Sequence, residues 1–236
     1  MPLDMSRIQA LCFDVDGTLR DTDDQYTSQL ARLLRPLKFL FRGGDPTAFA
    51  RRAVMALESP GTWLYSLPDR LGVDNKLGDL ADWLQRATSR EPIRRYAAVP
   101  GAVEAVQRLA EQFPLAVVSA RDDIHTRQFL ELCGILPFFQ EIATAATCKH
   151  TKPFPDPILW IAERLGIPAS ACVMIGDTTV DIRAGKAADA QTIGVLCGFG
   201  QEKELRRAGA DVIVPSVVDV AAILLDDRRQ TTDDRQ

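Results

Sequence analysis

Short apolar runs rich in β-branched residues recur along this chain, and helical segments separate most of them. Most runs are apolar throughout, which is typical of strands buried on both faces. Strands that alternate with helices favour a parallel sheet with crossover helices, and hence an α/β fold. The predicted strands are Ile8–Asp14, Leu115–Ser119, Glu141–Thr144, Cys172–Gly176, Thr192–Leu196 and Asp211–Val214. The predicted helices between and after them are Ala102–Gln112, Asp123–Cys133, Pro157–Leu165, Val180–Ala188, Gln201–Ala208 and Val217–Leu225.

A long interval without a convincing strand follows the first strand. Between residues 20 and 98 the sequence predicts short helices with an apolar face of their own, namely Gln25–Leu34, Pro46–Glu58, Trp63–Leu71 and Lys76–Thr88. The interval holds 13 Lys and Arg against 10 Asp and Glu, although the whole chain has a net charge of −4. A basic lid would attract an anionic substrate, and a solvated helix surface explains the same excess equally well. The predicted units are a core of 1–19 and 99–226, a helical cap of 20–98 and a disordered polar tail of 227–236.

Composition argues against several classes of function. Apolar residues make up 46% and charged residues 25%, as in ordinary globular proteins. The chain has no Lys/Arg run that would indicate a nucleic-acid partner and no apolar stretch long enough for a membrane span. The five cysteines are widely spaced, without Cys-x-x-Cys, so they indicate neither a zinc site nor a disulfide framework. We predict a cytoplasmic protein, and the sequence carries no signal of its oligomeric state.

Two carboxylates, Asp14 and Asp16, stand where the first predicted strand ends, and Gly17 and Thr18 follow at a sharp turn. A carboxylate near a core must be paired, hydrogen-bonded or bound to a metal. Open α/β sheets bind their ligands outside the carboxyl ends of their strands, which is where this pair lies. A strand that simply ends in an acidic turn is the plainer alternative.

Polar residues also follow other predicted strands. Ser119 ends the second strand, and Lys152 lies in a proline-rich loop after the third. Taken alone, Ser119 is a turn or cap residue and Lys152 a surface loop residue. Asp177 follows the fourth strand and Asp181 lies four residues later, so a helix beginning near Thr178 would direct both carboxylates at one spot.

Together these residues form a chemical set at one edge of the sheet. Unpaired acids gathered there would repel one another and their pKa values would rise, which a hard divalent cation prevents. Oxygen ligands without His or Cys favour Mg²⁺, which commonly acts beside phosphate groups. A Lys and a Ser supply the donors that a phosphoryl group requires. One Asp can then act as a nucleophile on phosphorus and another as general acid and base.

The order of these residues resembles that of a known family. Asp14-x-Asp16-Gly17-Thr18-Leu19-x-Asp21-Thr22, then Ser119, then Lys152-Pro153-x-Pro155, then Gly176-Asp177-x-x-x-Asp181 are similar to the four ordered motifs of the haloacid dehalogenase superfamily. The resemblance runs from Ile8 to about Leu225. It implies a Rossmann-like parallel sheet sandwiched by helices. The helical insertion is similar to the C1 cap of the phosphoglycolate phosphatase and β-phosphoglucomutase branch.

The resemblance also implies a role for each motif residue. Asp14 would be the nucleophile and a Mg²⁺ ligand, and Asp16 would be the acid/base and would contact the metal through its backbone carbonyl. Asp177 would bind the metal directly, with Asp181 as a further ligand or as its support. The phosphoryl group would be held at Ser119, Ala120, Thr18 and Lys152, and Lys152 would neutralise charge in the transition state.

The implied activity is Mg²⁺-dependent hydrolysis of a small phosphorylated metabolite. Asp16 argues against the dehalogenases, which lack this second acid. The segment Asp21–Tyr26 has no His, which argues against a phosphomutase of the β-phosphoglucomutase type. A phosphonatase would need a cap Lys for a Schiff base, and Lys38 and Lys76 lie in no motif of that kind. The phosphomutase and a catalytically silent binding protein remain the alternatives.

The sequence departs from the family pattern in two places. Ala120 stands where Asn is frequent, and Asp189 stands where many relatives have Gly. Neither change removes a catalytic group, but both weaken any inference about the substrate. The arginines are possible substrate contacts, although a solvated surface is the favoured interpretation for each of Arg20, Arg51, Arg52 and Arg121.

Overall fold

The structure, a computed structural model, describes residues 3–21, 32, 34–35 and 97–233, with side chains described up to Asp226. Within these residues the strands are β1 (Ala10–Phe13), β2 (Leu115–Val118), β3 (Phe139–Ala143), β4 (Cys172–Gly176), β5 (Gln191–Val195) and β6 (Val212–Val214). They form one sheet of six strands in the order β3-β2-β1-β4-β5-β6, and every neighbouring pair is parallel. The α/β fold and each of the predicted strands are confirmed, with boundaries that shift by a few residues.

Helices connect the strands. They are α1 (Ala102–Ala110), α2 (Asp123–Leu132), α3 (Asp156–Leu165), α4 (Thr179–Ala187), α5 (Glu202–Ala208) and α6 (Val217–Asp233). None of the helices in the described part of the chain is long and apolar enough to cross a membrane. The helices predicted for the cap fall almost entirely on residues outside those that the structure describes.

The strands are apolar throughout because helices cover both faces of the sheet. Leu11 and Phe13 of β1 point into one hydrophobic cluster, and Ala10 and Cys12 point into the other. The first cluster is filled by large side chains and receives α1 and α6, whereas the second receives α3 and α4. The two-residue period of a strand therefore serves two cores at once.

The strand order places a crevice at the ends of β1 and β4. The chain passes from β1 to β2 and β3 on one side and then crosses to β4, β5 and β6 on the other. The order therefore reverses between β1 and β4, the point at which open α/β sheets bind ligands. The backbone N–H of Asp14 still donates to the Ile175 carbonyl at 2.9 Å, so this acid emerges directly from the paired sheet.

The two ends of the predicted cap lie side by side. Asp21 donates its N–H to the Ala97 carbonyl at 2.8 Å, and Val99 donates to the Leu19 carbonyl at 2.9 Å. An antiparallel bridge joins Arg20 to Ala98 between these two bonds. Residues 19–21 and 97–99, at the two ends of that segment, are thus neighbours in the structure and lie next to the acids that follow β1.

The last helix is longer than the sequence predicts. The apolar pattern predicts an end at Leu225 and a disordered tail over 227–236, but α6 continues to Asp233. Extending an existing helix needs no new nucleus, so a polar segment can remain helical once the apolar first half has packed. Val217, Val220, Ala221 and Leu224 provide that packing, because all four are fully buried.

The backbone conformation of Asp189 explains why this position commonly holds Gly in the resembling family. Asp189 has a φ of 59°, in the left-handed region, at the turn between α4 and β5. Glycine adopts this backbone most readily, and Asp is among the few other residues that tolerate it. The position where Gly is common in the resembling family therefore keeps the conformation that favours Gly.

Candidate active site

Lys152 joins two carboxylates at the carboxyl edge of the sheet. Its Nζ donates to Asp14 Oδ1 and, at 2.7 Å, to Asp181 Oδ1. Lys152 is 5% exposed, Asp14 6% and Asp181 1%, so the three charges are almost fully removed from water. A buried charge is stable only when it is paired or hydrogen-bonded, and Lys152 meets that requirement for both acids.

Asp181 is fixed by the start of α4. Its second oxygen, Oδ2, accepts from the backbone N–H of Thr178 at 3.0 Å and from the Thr178 hydroxyl at 2.6 Å. These contacts cap the helix N-terminus, where a negative side chain is also favoured by the helix dipole. The same carboxylate therefore caps α4 with one oxygen and holds Lys152 with the other.

The carboxylate of Asp177 is hydrogen-bonded by the loop after β5, which lies outside the four sequence motifs. Oδ2 of Asp177 accepts from the backbone N–H of Phe199 at 2.6 Å. Phe199 lies between Gly198 and Gly200 in the loop after β5. A Cβ on Gly198 would lie 2.2 Å from Asp177 Oδ2, and one on Gly200 would lie 1.7 Å from the Asp177 carbonyl oxygen. The loop comes this close only because both residues are glycines.

Three of the predicted metal ligands meet in this arrangement. Asp14, Asp177 and Asp181 each offer a carboxylate oxygen, and these oxygens lie within 4.8 Å of one another in a buried group. A ligand set made only of oxygen suits a hard divalent cation such as Mg²⁺. The Asp residues thus fit the metal that the sequence predicts, although the identity of the ion stays a prediction.

Burial disfavours the charged form of Asp14. Burial raises the pKa of Asp14 to about 7 from 3.8; Lys152 lowers it, and the nearby Asp181 and Asp16 raise it further. Burial also lowers the pKa of Lys152, but Asp14 and Asp181 together outweigh burial, so the pKa of Lys152 lies above its ordinary value. Lys152 therefore stays charged, but its single ammonium does not offset the burial of Asp14 and the repulsion from the neighbouring acids.

The carboxylate of Asp16 pairs with two arginines and is not a member of the group formed by Asp14, Asp177 and Asp181. Its Oδ1 accepts from Arg20 Nη1 at 3.2 Å and its Oδ2 accepts from Arg121 Nε at 2.5 Å. The predicted contact of Asp16 with the metal through its backbone carbonyl stays a prediction. Arg20 is only 4% exposed, so the interpretation of this residue as solvated surface is wrong. Arg51 and Arg52 lie outside the described residues.

Three of the predicted phosphate-binding residues, Thr18, Ser119 and Ala120, lie in the turns after β1 and β2. Ser119 follows β2, is 4% exposed, and accepts from the Arg121 N–H through Oγ at 3.1 Å. Ala120 comes next at the same edge. Thr18 is fully buried, and its hydroxyl has no hydrogen-bond partner among the residues that the structure describes. Their roles toward a phosphoryl group stay predictions.

The Gly198→Ala variant is expected to weaken divalent-cation binding by about 10- to 100-fold, the usual effect of disturbing the support of a metal ligand. The added methyl group would collide with Asp177 Oδ2 and with the Gly17 carbonyl oxygen, which lies 2.5 Å from it. Calorimetric titration of the metal-free protein with MgCl₂ measures this loss. Gly134→Ala is the control for a strained Gly→Ala change elsewhere in the fold, because Gly134 has a φ of 68°, unlike Gly198, and nothing lies within 4 Å of the added Cβ. Equal affinity in the Gly198 and Gly134 variants would show that the loop does not position Asp177.

Comparison with known proteins identifies the class. The family model described as haloacid dehalogenase-like hydrolase matches residues 11–195. The chain is 30% identical over 221 residues to the pyrophosphatase PpaX of Bacillus velezensis, covering 92% of this chain and 96% of the relative. It is 27% identical over 235 residues to the phosphoglycolate phosphatase of Shigella dysenteriae, covering 92% of each. The chain therefore belongs to the haloacid dehalogenase-like hydrolases, and the prediction of a phosphatase of this family is confirmed.

A solved structure supports the fold independently of sequence. A hydrolase from Pseudomonas syringae superposes with a TM-score of 0.68 at 24% identity, over 92% of this chain and 98% of that one. At this identity the likeness concerns the fold alone. The comparison extends across nearly the whole chain.

Proposed function

We propose that this protein is a Mg²⁺-dependent phosphomonoester hydrolase of the cytoplasm, acting on a small phosphorylated metabolite through an aspartyl-phosphate at Asp14. The observation that carries the proposal is the buried group of Asp14, Asp177 and Asp181 with Lys152 between two of its members. The names of the two relatives, a pyrophosphatase and a phosphoglycolate phosphatase, support a small phosphorylated substrate.

The metal would be held by Asp14, Asp177 and Asp181. When bound, the ion would supply positive charge beside the phosphoryl oxygens and would allow Asp14 to stay ionised. The loop of Gly198 and Phe199 supports this role, because it fixes the Asp177 carboxylate before any ion arrives. Lys152 supports the same role, because it fixes the carboxylates of Asp14 and Asp181.

The side chains of this chain account for both half-reactions. A carboxylate oxygen of Asp14 attacks phosphorus, the bond from phosphorus to the leaving oxygen breaks, and Asp16 gives that oxygen a proton. Water then attacks phosphorus of the aspartyl-phosphate, Asp16 takes a proton from the water, and the Asp14–phosphorus bond breaks to release phosphate. Lys152 and the Ser119 hydroxyl stabilise the negative charge that builds on the phosphoryl oxygens.

Turnover of p-nitrophenyl phosphate with Mg²⁺ tests the proposal, followed by a panel of phosphorylated metabolites. We expect activity that EDTA removes and that added Mg²⁺ restores. The absence of Mg²⁺-dependent activity on the whole panel would instead favour a silent binding protein. A phosphomutase would show conversion of a sugar phosphate into its isomer without release of phosphate.

The metal-free protein is expected to lose stability as the pH rises from about 4 to about 7. The pKa of Asp14 is raised to about 7 in the folded state, from 3.8, so the folded state binds the Asp14 proton more tightly than the unfolded state does. Its contribution to stability is complete below pH 3.8 and is lost as the pH approaches about 7. The loss amounts to a few kcal/mol at most.

Urea unfolding in EDTA across this pH range measures the effect. Asp14→Asn is the control, since an amide in that position does not titrate and the slope should decrease. A wild-type stability that rises through this range would contradict the assignment of Asp14 as a buried acid with a raised pKa.

A further inference from the structure

Lys152 lies in the middle of a tight turn between β3 and α3. The Phe154 N–H donates to the Thr151 carbonyl at 3.0 Å, which is the hydrogen bond of a β-turn. Lys152 is one of the two central residues of this turn, and its buried side chain donates to acids that follow β1 and lie in α4. The position of the turn therefore decides where the ammonium lies.

A side-chain link closes the same segment around the turn. His150 Nδ1 lies 2.9 Å from Asp156 Oδ1, and because an ionised carboxylate can only accept, the ring donates. The His150 ring also packs on the Phe154 ring, with the ring centroids 5.0 Å apart. His150 stands directly before the turn and contacts two residues that follow Lys152, so its side chain spans the turn.

Asp156 ties this link to the core of the protein. It is the first residue of α3, where a negative side chain interacts favourably with the helix dipole. Ile158 and Ile161 of α3 are fully buried in the second hydrophobic cluster, so the start of the helix is held in place. The side chains of His150 and Asp156 are 34% and 31% exposed, so the pair is partly shielded from water.

A small displacement of the turn would be costly for Lys152. A lysine side chain has several rotatable bonds, and here its Nζ must contact Asp14 and Asp181 at the same time. In the proposed reaction the same ammonium stabilises negative charge on the phosphoryl oxygens. A displacement of about 1 Å at such a group can cost about 100-fold in rate.

We propose that His150 is a positioning residue for Lys152, because its hydrogen bond to Asp156 holds the turn from which the ammonium reaches the acids. The inference rests on the proposed function, from which it takes the role of Lys152 in phosphoryl transfer. His150 touches no reacting group in this account and takes no part in proton transfer. The alternative is an ion pair without consequence for catalysis, in which case kcat does not depend on His150.

His150→Ala tests the link, with p-nitrophenyl phosphate as substrate and Mg²⁺ present. We expect kcat to fall by about 10-fold, as for the loss of a hydrogen bond to a charged group, with KM changed by less than about twofold. Orthovanadate mimics five-coordinate phosphorus in the transition state, so its inhibition constant should rise by a similar factor. A general loosening of the fold would not act selectively on the transition state in this way.

Two further substitutions at His150 isolate the hydrogen bond. The Asn amide places an N–H donor near the position of Nδ1, so His150→Asn should keep kcat within about threefold of the wild-type value. His150→Phe keeps a ring against Phe154 without the hydrogen bond, and it should lose as much activity as His150→Ala. The Phe variant takes the place of His150→Ala if the Ala variant does not fold.

The other histidine of the chain provides the matched control. His125 Nδ1 lies 2.7 Å from Asp122 Oδ2 at the start of α2, so the two residues form the same kind of pair at another helix. We expect His125→Ala to leave kcat unchanged. In an Asp156→Ala background, His150→Ala should have no further effect on kcat, because the partner of the ring is already absent.

Three results would overturn the inference while the proposed function stands. The first is an equal kcat in His150→Ala and His125→Ala. The second is a loss of kcat without weaker inhibition by orthovanadate, which would mean that His150 does not act through the ammonium of Lys152. The third is a His150→Asn variant as impaired as His150→Ala. Failure of the proposed function is distinct, since the wild type itself would then hydrolyse neither p-nitrophenyl phosphate nor any metabolite of the panel.

Discussion

Asp14→Asn is expected to abolish turnover and, at about pH 8, to raise the melting temperature of the metal-free protein. The amide is a poor nucleophile, so kcat should fall by at least about 1,000-fold if phosphoryl transfer proceeds through Asp14. Stability should rise because burial disfavours the Asp14 charge and raises its pKa to about 7, so that Asp14 carries this unfavourable charge at pH 8. A gain of 1 kcal/mol corresponds to about 2–4 °C for a domain of this size.

The combination of lost activity and gained stability separates a chemical role from a folding defect. Asp219→Asn is a matched control, since Asp219 accepts from Ser216 at the start of α6 and has no role in the proposed site. That variant should keep its activity. Substantial turnover by Asp14→Asn on any phosphomonoester would exclude the aspartyl-phosphate mechanism.

Lys152→Met is expected to remove activity and also to destabilise the metal-free protein. The variant leaves Asp14 and Asp181 buried without the ammonium that they share, and breaking a buried ion pair in this way costs about 3–5 kcal/mol. The activity should fall by at least about 1,000-fold, because the charge that stabilises the phosphoryl oxygens is also lost. Urea unfolding in EDTA and turnover with Mg²⁺ measure the two effects.

The double variant Asp14→Asn with Lys152→Met tests whether the effects of the two substitutions on stability are coupled. Neutralising Asp14 removes one of the two uncompensated acids, so the double variant should recover part of the stability but none of the activity. Lys186→Met is the control for loss of a Lys that binds an acid elsewhere, since Lys186 pairs with Asp211 at the exposed end of α4. An unchanged stability in Lys152→Met would contradict the view that this ion pair holds the acid group together.

Much of the core could be predicted because its local signals agree. A strand buried on both faces appears in the sequence as a run of apolar residues. A helix often ends at a glycine, such as Gly166, which has a φ of 67° directly after α3. The proximity of Asp14 to Asp177 could be predicted from the sequence for a related reason. Parallel strands bring their carboxyl ends to one edge, so residues that follow β1 and β4 must be neighbours there.

The partners of Asp16 and Asp177 could not be predicted in the same way. Arg20 and Arg121 reach one carboxylate from two separate turns, and no spacing in the sequence relates Arg121 to Asp16. The loop at Gly198 contacts Asp177 through a backbone N–H, which any residue except proline carries. The only signal was a pair of glycines at the carboxyl end of a predicted strand, where close approach to a ligand site is common.

Identification of the phosphorylated residue tests the central claim most directly. Asp16→Asn should slow the hydrolysis of the intermediate, so acid quenching during turnover followed by borohydride reduction should convert the phosphorylated aspartate into homoserine. Mass spectrometry of the peptide that contains both acids then locates the change. We expect homoserine at position 14 during turnover and an intact Asp14 when the substrate is omitted. Turnover without any modification at Asp14, or reduction at another residue, would contradict this expectation.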